Sequence, residues 1–262
     1  MKTSGILFDR SPFRVILSLN RPDKLNPLDK GTVKELLGLV KEIEADKSIS
    51  TVVLTGSGRA FSAGGDLEGY VDLYKDPSAF RLFLNDFNFL LGAIEASEKI
   101  YIAAVNGACV AGGLELMLAC DLVIASETAL IGDGHINFAQ LPGAGGSQRL
   151  PRAIGSLRAK QMMLMGKMWD AKHCLNIGLL NEVVPSEELL ERCDTLAQEF
   201  SARSPSALIG AKRLVNEGAK LSLQDSLIYE MDYVHHYATT NSDAMEGLVA
   251  FSQKRKPVYK KN

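Results

Sequence analysis

The sequence predicts a layered α/β domain that gives way to a helical C-terminal end. Three observations carry that prediction. Short apolar runs ("TVVLTG", "IYIAAVNG", "DLVIAS") recur with loops and helices in register, as in sheets joined by short crossovers. Amphipathic segments of helical period separate them. Beyond Pro185 the chain is almost wholly helical in pattern, with no Pro-, Gly- or Ser-rich linker to set that end apart.

In chain order, "GILFD" and "FRVILSLN" read as two strands parted by a turn at Ser11-Pro12. Val33, Leu36, Leu37, Val40 and Ile43 recur at helical spacing, predicting a helix over 29–46. "TVVLTG" (51–56) is a buried strand, and "SGRAFSAGGDL" is a glycine-rich loop. Phe80, Phe83, Leu84, Phe87, Leu91 and Ile94 predict a helix over 78–97. "IYIAAVNG" is a strand, a short helix follows Gly113, and "DLVIAS" is a strand. From about 145, "GGSQRLPRAIG", "SLRAKQMMLMG" and "DAKHCLNIG" are helical pieces, each closed by glycine. "NEVV" adds a strand. Helices near 186–202, 205–218 and 221–239 follow, and a last one starts at Ser242. The helical end is expected to pack on the core or on a neighbouring subunit.

The 262 residues, 46% hydrophobic and 23% charged, suffice for a sizeable core without disulfides or structural metal. A net charge of −2 recommends neither nucleic acid nor a membrane surface as partner. The one basic run, "QKRKPVYKK" (253–261), is either a solvated end or a clamp for a phosphate-bearing ligand. Cys109, Cys120, Cys174 and Cys193 form no metal or redox spacing, and His173, His235 and His236 show no ligand pattern, so no metal is expected. The N-terminus reads as neither secretory signal nor transit peptide, which makes a reducing, cytoplasmic location the expectation. The 101–120 run approaches membrane-span length, but Asn106-Gly107, Gly112-Gly113 and Glu115 argue for buried soluble structure.

Glu115 is the only formal charge between Tyr101 and Cys120. A carboxylate in such surroundings pairs with a cation, neutralises with a raised pKa, or faces a cavity. Arg149 is a possible distant partner, and a structural and a functional role are both open. Two glycine turns, "SAGGDL" and "VAGGLEL", each follow a strand. Glycines make tight turns, but they also leave peptide N–H groups accessible, and Gly112 falls where the helix carrying Glu115 begins. Two such donors converging from successive units can form an oxyanion hole. His135, in "IGDGHINFAQLPGAGG", is either a hydrogen-bonded structural residue or an acid–base group. Neither a dinucleotide fingerprint, a Walker loop nor a nucleophile elbow is present.

"RAFSAGGDL", "VNGACVAGGLELMLACDLVIAS", "LPGAGGSQRLPRAIG" and "DAMEGLVAFSQKRKP" together resemble the enoyl-CoA hydratase/isomerase (crotonase) superfamily, over essentially the whole chain. The resemblance implies a spiral of repeated ββα units over 1–195 and a helical oligomerisation region over 196–262, built into homotrimers or hexamers. It implies an acyl-CoA thioester as substrate, with coenzyme A part of that substrate and no other cofactor. The N–H groups of Gly65 and Gly112 would form the oxyanion hole. Lys24, Leu25, Ala63 and Leu67 match positions that contact coenzyme A. Phe251 and Lys254 match a pair that reaches it, often from the adjacent subunit. Glu115 matches the first of two catalytic glutamates, and His135 stands where the second would be.

The activity implied is an enoyl-CoA hydratase-like lyase, with Glu115 and His135 as acid–base groups. The alternatives are an isomerase, decarboxylase or thioester hydrolase of the same fold, or a catalytically weak CoA-binding homologue. The acyl group would be recognised by the 67–90 segment and the 135–142 loop.

Overall fold

The computed structural model describes residues 5–259. The chain opens on an antiparallel hairpin, β1 (Ile6–Arg10) and β2 (Arg14–Leu19). A 3₁₀ turn (Pro22–Lys24) leads to α1 (Lys30–Ala45), whose N-terminus is capped by Asp29 accepting the Thr32 N–H at 2.8 Å. Three ββα units follow. The first is β3 (Thr51–Gly56), β4 (Ala60–Ser62), α2 (Leu67–Leu73) and α3 (Pro77–Ala96). The second is β5 (Ile100–Val105), β6 (Ala108–Val110) and α4 (Gly112–Leu118). The third is β7 (Leu122–Ser126), β8 (Leu130–Gly132), a 3₁₀ turn over His135–Phe138, and α5 (Gly146–Ile154).

After these come α6 (Ser156–Met165), β9 (Trp169–Asp170), α7 (Ala171–Asn176) and β10 (Glu182–Val184). Four helices close the chain: α8 (Leu189–Ser201), α9 (Pro205–Gly218), α10 (Leu223–Thr240) and α11 (Ser242–Ser252). The first strand of each unit joins a six-stranded sheet ordered β1-β2-β3-β5-β7-β10, and the second joins a small sheet ordered β4-β6-β8-β9. This is the ββα spiral that the resemblance implies.

The apolar runs of the large sheet do not alternate with polar residues because both faces are covered. Val52, Leu54, Tyr101, Ala103 and Val105 face the main core with α1 and α3. Val53, Ile102, Ala104 and Ile124 face α8 through its Leu189, Cys193 and Leu196. Each fully buried Val, Leu or Ile there contributes about 1.5–3 kcal/mol. Residue 195 falls inside α8, so the sequence-drawn edge of the core runs through a helix packed on the large sheet.

The helical end is tied to the core by α9. Its Lys212 Nζ donates to the carbonyls of Ile94 (3.0 Å) and Lys99 (2.8 Å) and to Asp121 Oδ2 (2.9 Å). One ammonium thus satisfies a terminal carbonyl of α3 and a buried carboxylate together. On α10 and α11, by contrast, Leu223, Met231, Leu248 and Phe251 are exposed.

The expected strands and helices fall within a few residues of those observed. What differs is the stretch read as a glycine-rich loop, which contains β4 and runs directly into α2. Strands β4, β6, β8 and β9 are two or three residues long, too short to show a period.

Candidate active site

The ends of β4, β6 and β8 lie side by side, since β6 pairs in parallel with both of the others. The loops leaving those ends therefore meet, and they border a cavity of about 870 Å³. Gly65 leaves β4, Gly112 leaves β6 and His135 leaves β8, and all three line that cavity together with Glu115.

The first loop is held from outside. Asn26, buried, donates to the carbonyls of Ala60 (2.8 Å) and Ser57 (2.9 Å), and the Leu25 carbonyl accepts the Ala63 N–H at 2.9 Å. The Gly64 carbonyl accepts the Leu28 N–H at 2.8 Å. In a trans peptide the N–H points opposite to the carbonyl, so the Gly65 N–H is turned away from Leu28. Gly64 itself has φ +91°, and a Cβ there would sit 3.0 Å from the Gly112 nitrogen, so the two glycine turns touch. Gly112 is the first residue of α4, where an N–H lacks an intrahelical acceptor. Among the described residues neither the Gly65 nor the Gly112 N–H is taken by any acceptor. Ala111, just before, holds a left-handed φ of 51°, a strained turn at the point where α4 begins.

Glu115 sits one turn into α4 and is 2% exposed. Its Oε1 accepts the N–H groups of Ala144 and Gly146, each at 2.8 Å, the latter opening α5. Burial raises its pKa, and the Gly146 N–H and the nearby His135 ring pull it partly back. Arg149, the cation considered for it, instead pairs bidentately with Glu95 (2.6 and 2.9 Å) and donates to the Ala144 carbonyl at 2.8 Å. It thus braces the peptide stretch that holds Glu115. Among the described residues the carboxylate is in no salt bridge, and it faces the cavity.

His135 lies beside a residue that sequence reasoning passed over. Asp133, 1% exposed, places Oδ2 at 3.1 Å from His135 Nδ1, and its Oδ1 accepts the His135 backbone N–H at 3.3 Å. The D-x-H spacing was the available signal. Tyr70 was also missed. Its hydroxyl lies against Gly65, where a Cβ would run into it, and forms no hydrogen bond among the described residues. Burial pushes this phenol up to about 12.

Much of the remaining wall is aromatic. Tyr70 packs edge-on to Phe83 (centroids 5.9 Å apart) and Tyr74 edge-on to Phe80 (4.7 Å), and Phe87 and Phe138 also line the chamber. The Tyr74 hydroxyl donates to the Gln140 side chain, joining α2 to the loop after His135. The 67–90 and 135–142 segments thus do form the wall. Of the positions matched to coenzyme A contacts, Lys24, Ala63 and Leu67 line the cavity. Leu25 does not, acting through its carbonyl on Ala63. Phe251, 85% exposed on α11, and Lys254 do not border it within this chain. Among the described residues no cluster of His, Cys, Asp and Glu suits a metal ion, and no helix is long and apolar enough to cross a membrane.

The sequence profile of the enoyl-CoA hydratase/isomerase family matches residues 15–262. A probable enoyl-CoA hydratase of Mycobacterium bovis is 38% identical, over 99% of both chains. The 2,3-dehydroadipyl-CoA hydratase of Escherichia coli is also 38% identical, over 98% of this chain and 99% of that one. The crystal structure of an enoyl-CoA hydratase from Bacillus anthracis superposes with a TM-score of 0.92 at 34% identity, covering 99% of this chain and all of that one.

Proposed function

Because this chain belongs to the enoyl-CoA hydratase/isomerase family and has its crotonase fold, we propose that it adds water across the α,β-double bond of an acyl-CoA thioester, or removes it. The observation that carries this reading is one arrangement. Two N–H groups without acceptors, those of Gly65 and Gly112, border the same cavity as a buried carboxylate held by only one of its oxygens.

A thioester oxygen lodged on the two N–H groups would have its developing enolate charge stabilised, each donor being worth about 2.7–4 kcal/mol. That makes Cβ electrophilic and Cα basic. Glu115 then takes a proton from water as the water oxygen bonds to Cβ, and the π electrons move onto the thioester oxygen. As the enolate collapses, Cα takes a proton from Nε2 of His135 in its doubly protonated form, so one water is added in all. Glu115 returns its proton and the imidazole regains one through solvent. Fixing Glu115 through Oε1 leaves Oε2 for the attacking water.

In this reading Lys24, Leu25, Ala63 and Leu67 flank coenzyme A, which is part of the substrate, and no other cofactor takes part. The exposed apolar faces of α10 and α11 pack in a homotrimer or hexamer, where Phe251 and Lys254 reach the coenzyme A of a neighbour. The four cysteines are free, which suits a cytoplasmic enzyme.

Incubation with crotonyl-CoA and with cyclic and dienoyl thioesters tests the reaction, following loss of the enoyl absorbance and the mass of the product. A gain of water is expected. The imidazole in place of a second carboxylate favours, as the second reading, an isomerase, decarboxylase or hydrolase, and an isomeric, decarboxylated or cleaved product would assign it. Binding of thioesters without turnover would leave a CoA-binding homologue.

A further inference from the structure

Asp133 takes no part in the reaction just described, yet it is buried, with 1% exposure, directly behind His135, which lines the cavity. We infer that Asp133 is a positioning residue that holds His135 in a single tautomer, with Nδ1–H bound to the carboxylate and Nε2 turned to the substrate.

The local fold is built for that pairing. Gly132 ends β8 against Val110 of β6 and accepts the Ala111 N–H at 3.2 Å. Asp133 therefore starts where the strand stops, beside the turn that presents Gly112. Gly134 has φ +68°, and a Cβ there would come 2.6 Å from Val110 Cγ1. The left-handed φ together with that close approach favours glycine here, and the step brings the side chains of Asp133 and His135 to the same side. The result is a carboxylate that grips the next residue but one twice, at its backbone N–H and at its ring.

A simple turn-capping role accounts for the first contact and not for the second. Aspartates that cap turns do so at the surface, where their charge stays hydrated. Burying one costs several kcal/mol unless a cation or strong donor compensates. Here the ring Nδ1–H is the donor placed to do so, 3.1 Å from Oδ2. An imidazole with Nδ1–H committed has only Nε2 left for proton transfer, and an orienting carboxylate is what fixes that choice. The groups facing the ring are then Asp133 at Nδ1 and Glu115 across the cavity, so proton donor and proton acceptor are held by separate anchors. One anchor is the β8 turn, the other the N-terminus of α5.

The inference rests on the hydration reading for its kinetic arm only. Ring ¹⁵N resonances of the full-length protein, assigned to His135 with His135→Gln and recorded at alkaline pH, report the neutral tautomer directly. Expected are a protonated Nδ1 and a bare Nε2 in the wild type, with a shift toward the other tautomer in Asp133→Asn. On a turned-over enoyl-CoA, Asp133→Asn should lower kcat about 10²–10⁴-fold with KM little changed. Asp133→Asn/His135→Gln should be no slower than His135→Gln alone. A wild-type ring protonated at Nε2, or a tautomer unmoved by Asp133→Asn, overturns the inference. So does a kcat within a few-fold of wild type, or losses that multiply in the double variant. If Asp133→Asn does not fold, the wild-type tautomer decides. If no enoyl-CoA is turned over, the hydration reading fails and the resonances still test the pairing.

Discussion

The Oε1 of Glu115 stands 2.8 Å from the amide nitrogen of Gly146, so a buried carboxylate of one helix occupies the N-terminus of the next. A Cβ on Gly146 would come 3.2 Å from that oxygen and 3.1 Å from Pro142 Cβ, a tight fit that favours glycine. The partial positive charge of the α5 terminus favours the ionised carboxylate, while burial disfavours it.

Burial is the larger influence, so the folded pKa of Glu115 lies above its unfolded value. Its contribution to stability is then complete below the unfolded pKa, near ~4.3, and is lost as pH rises through the folded value. Glu115→Gln retains the acceptor for both N–H groups without the charge. It is expected to melt higher than wild type at pH 7, with the gap closing toward pH 4, while activity falls about 10²–10⁴-fold. Melting curves across that range, set beside kcat, check both signs.

Gly64→Ala should disable the donor pair without touching either donor. The new methyl would sit 2.8 Å from Ala111 Cβ and 3.0 Å from the Gly112 nitrogen, at a φ of +91° that side chains avoid. Displacing one N–H by such a clash is expected to lower kcat about 10²–10³-fold. Steady-state kinetics on a thioester, with circular dichroism to verify folding, measure it. A folded variant with unchanged kcat would remove the oxyanion role from these turns.

Tyr70→Phe removes a hydroxyl that has no hydrogen-bond partner among the described residues. If a bound thioester supplies the partner, kcat/KM drops by ~2–10-fold, the worth of one neutral hydrogen bond at about 0.5–1.5 kcal/mol. The melting temperature should not fall, since nothing in the free protein loses a bond. Unchanged kinetics would assign the phenol to the wall alone.

Lys212→Met removes the ammonium contacts that tie α9 to the core. Burial raises the Asp121 pKa and Lys212 pulls it back down, so loss of the ammonium strands a carboxylate. The expected cost is about 3–5 kcal/mol, read from denaturant unfolding. Asp121→Asn added to Lys212→Met should recover part of it.

The large sheet was legible because strands covered on both faces read as unbroken apolar runs, as "TVVL" and "IYIAAV" do. Glu115 was legible because a lone charge in such a run demands a reason. The small sheet was hidden: its strands, Ala60–Ser62, Ala108–Val110, Leu130–Gly132 and Trp169–Asp170, are two or three residues long and too short to carry a pattern. Asp133 and Tyr70 were hidden for another reason. An Asp before glycine reads as a turn and a Tyr in an amphipathic helix as packing. Only the folded chain sets one beneath His135 and the other against Gly65.

The small sheet also divides the labour of change. Strands β4, β6 and β8 lock the departure points of three loops to one another through backbone hydrogen bonds, which substitutions other than proline leave in place. The aromatic wall of α2 and α3, and the loop after His135, hang from that frame and add shape rather than register. A lineage could therefore exchange one acyl group for another by rewriting the wall while inheriting the chemistry intact. A designer wanting a new thioester specificity would do well to start with Tyr74, Phe80 and Phe138, and leave the strand ends alone.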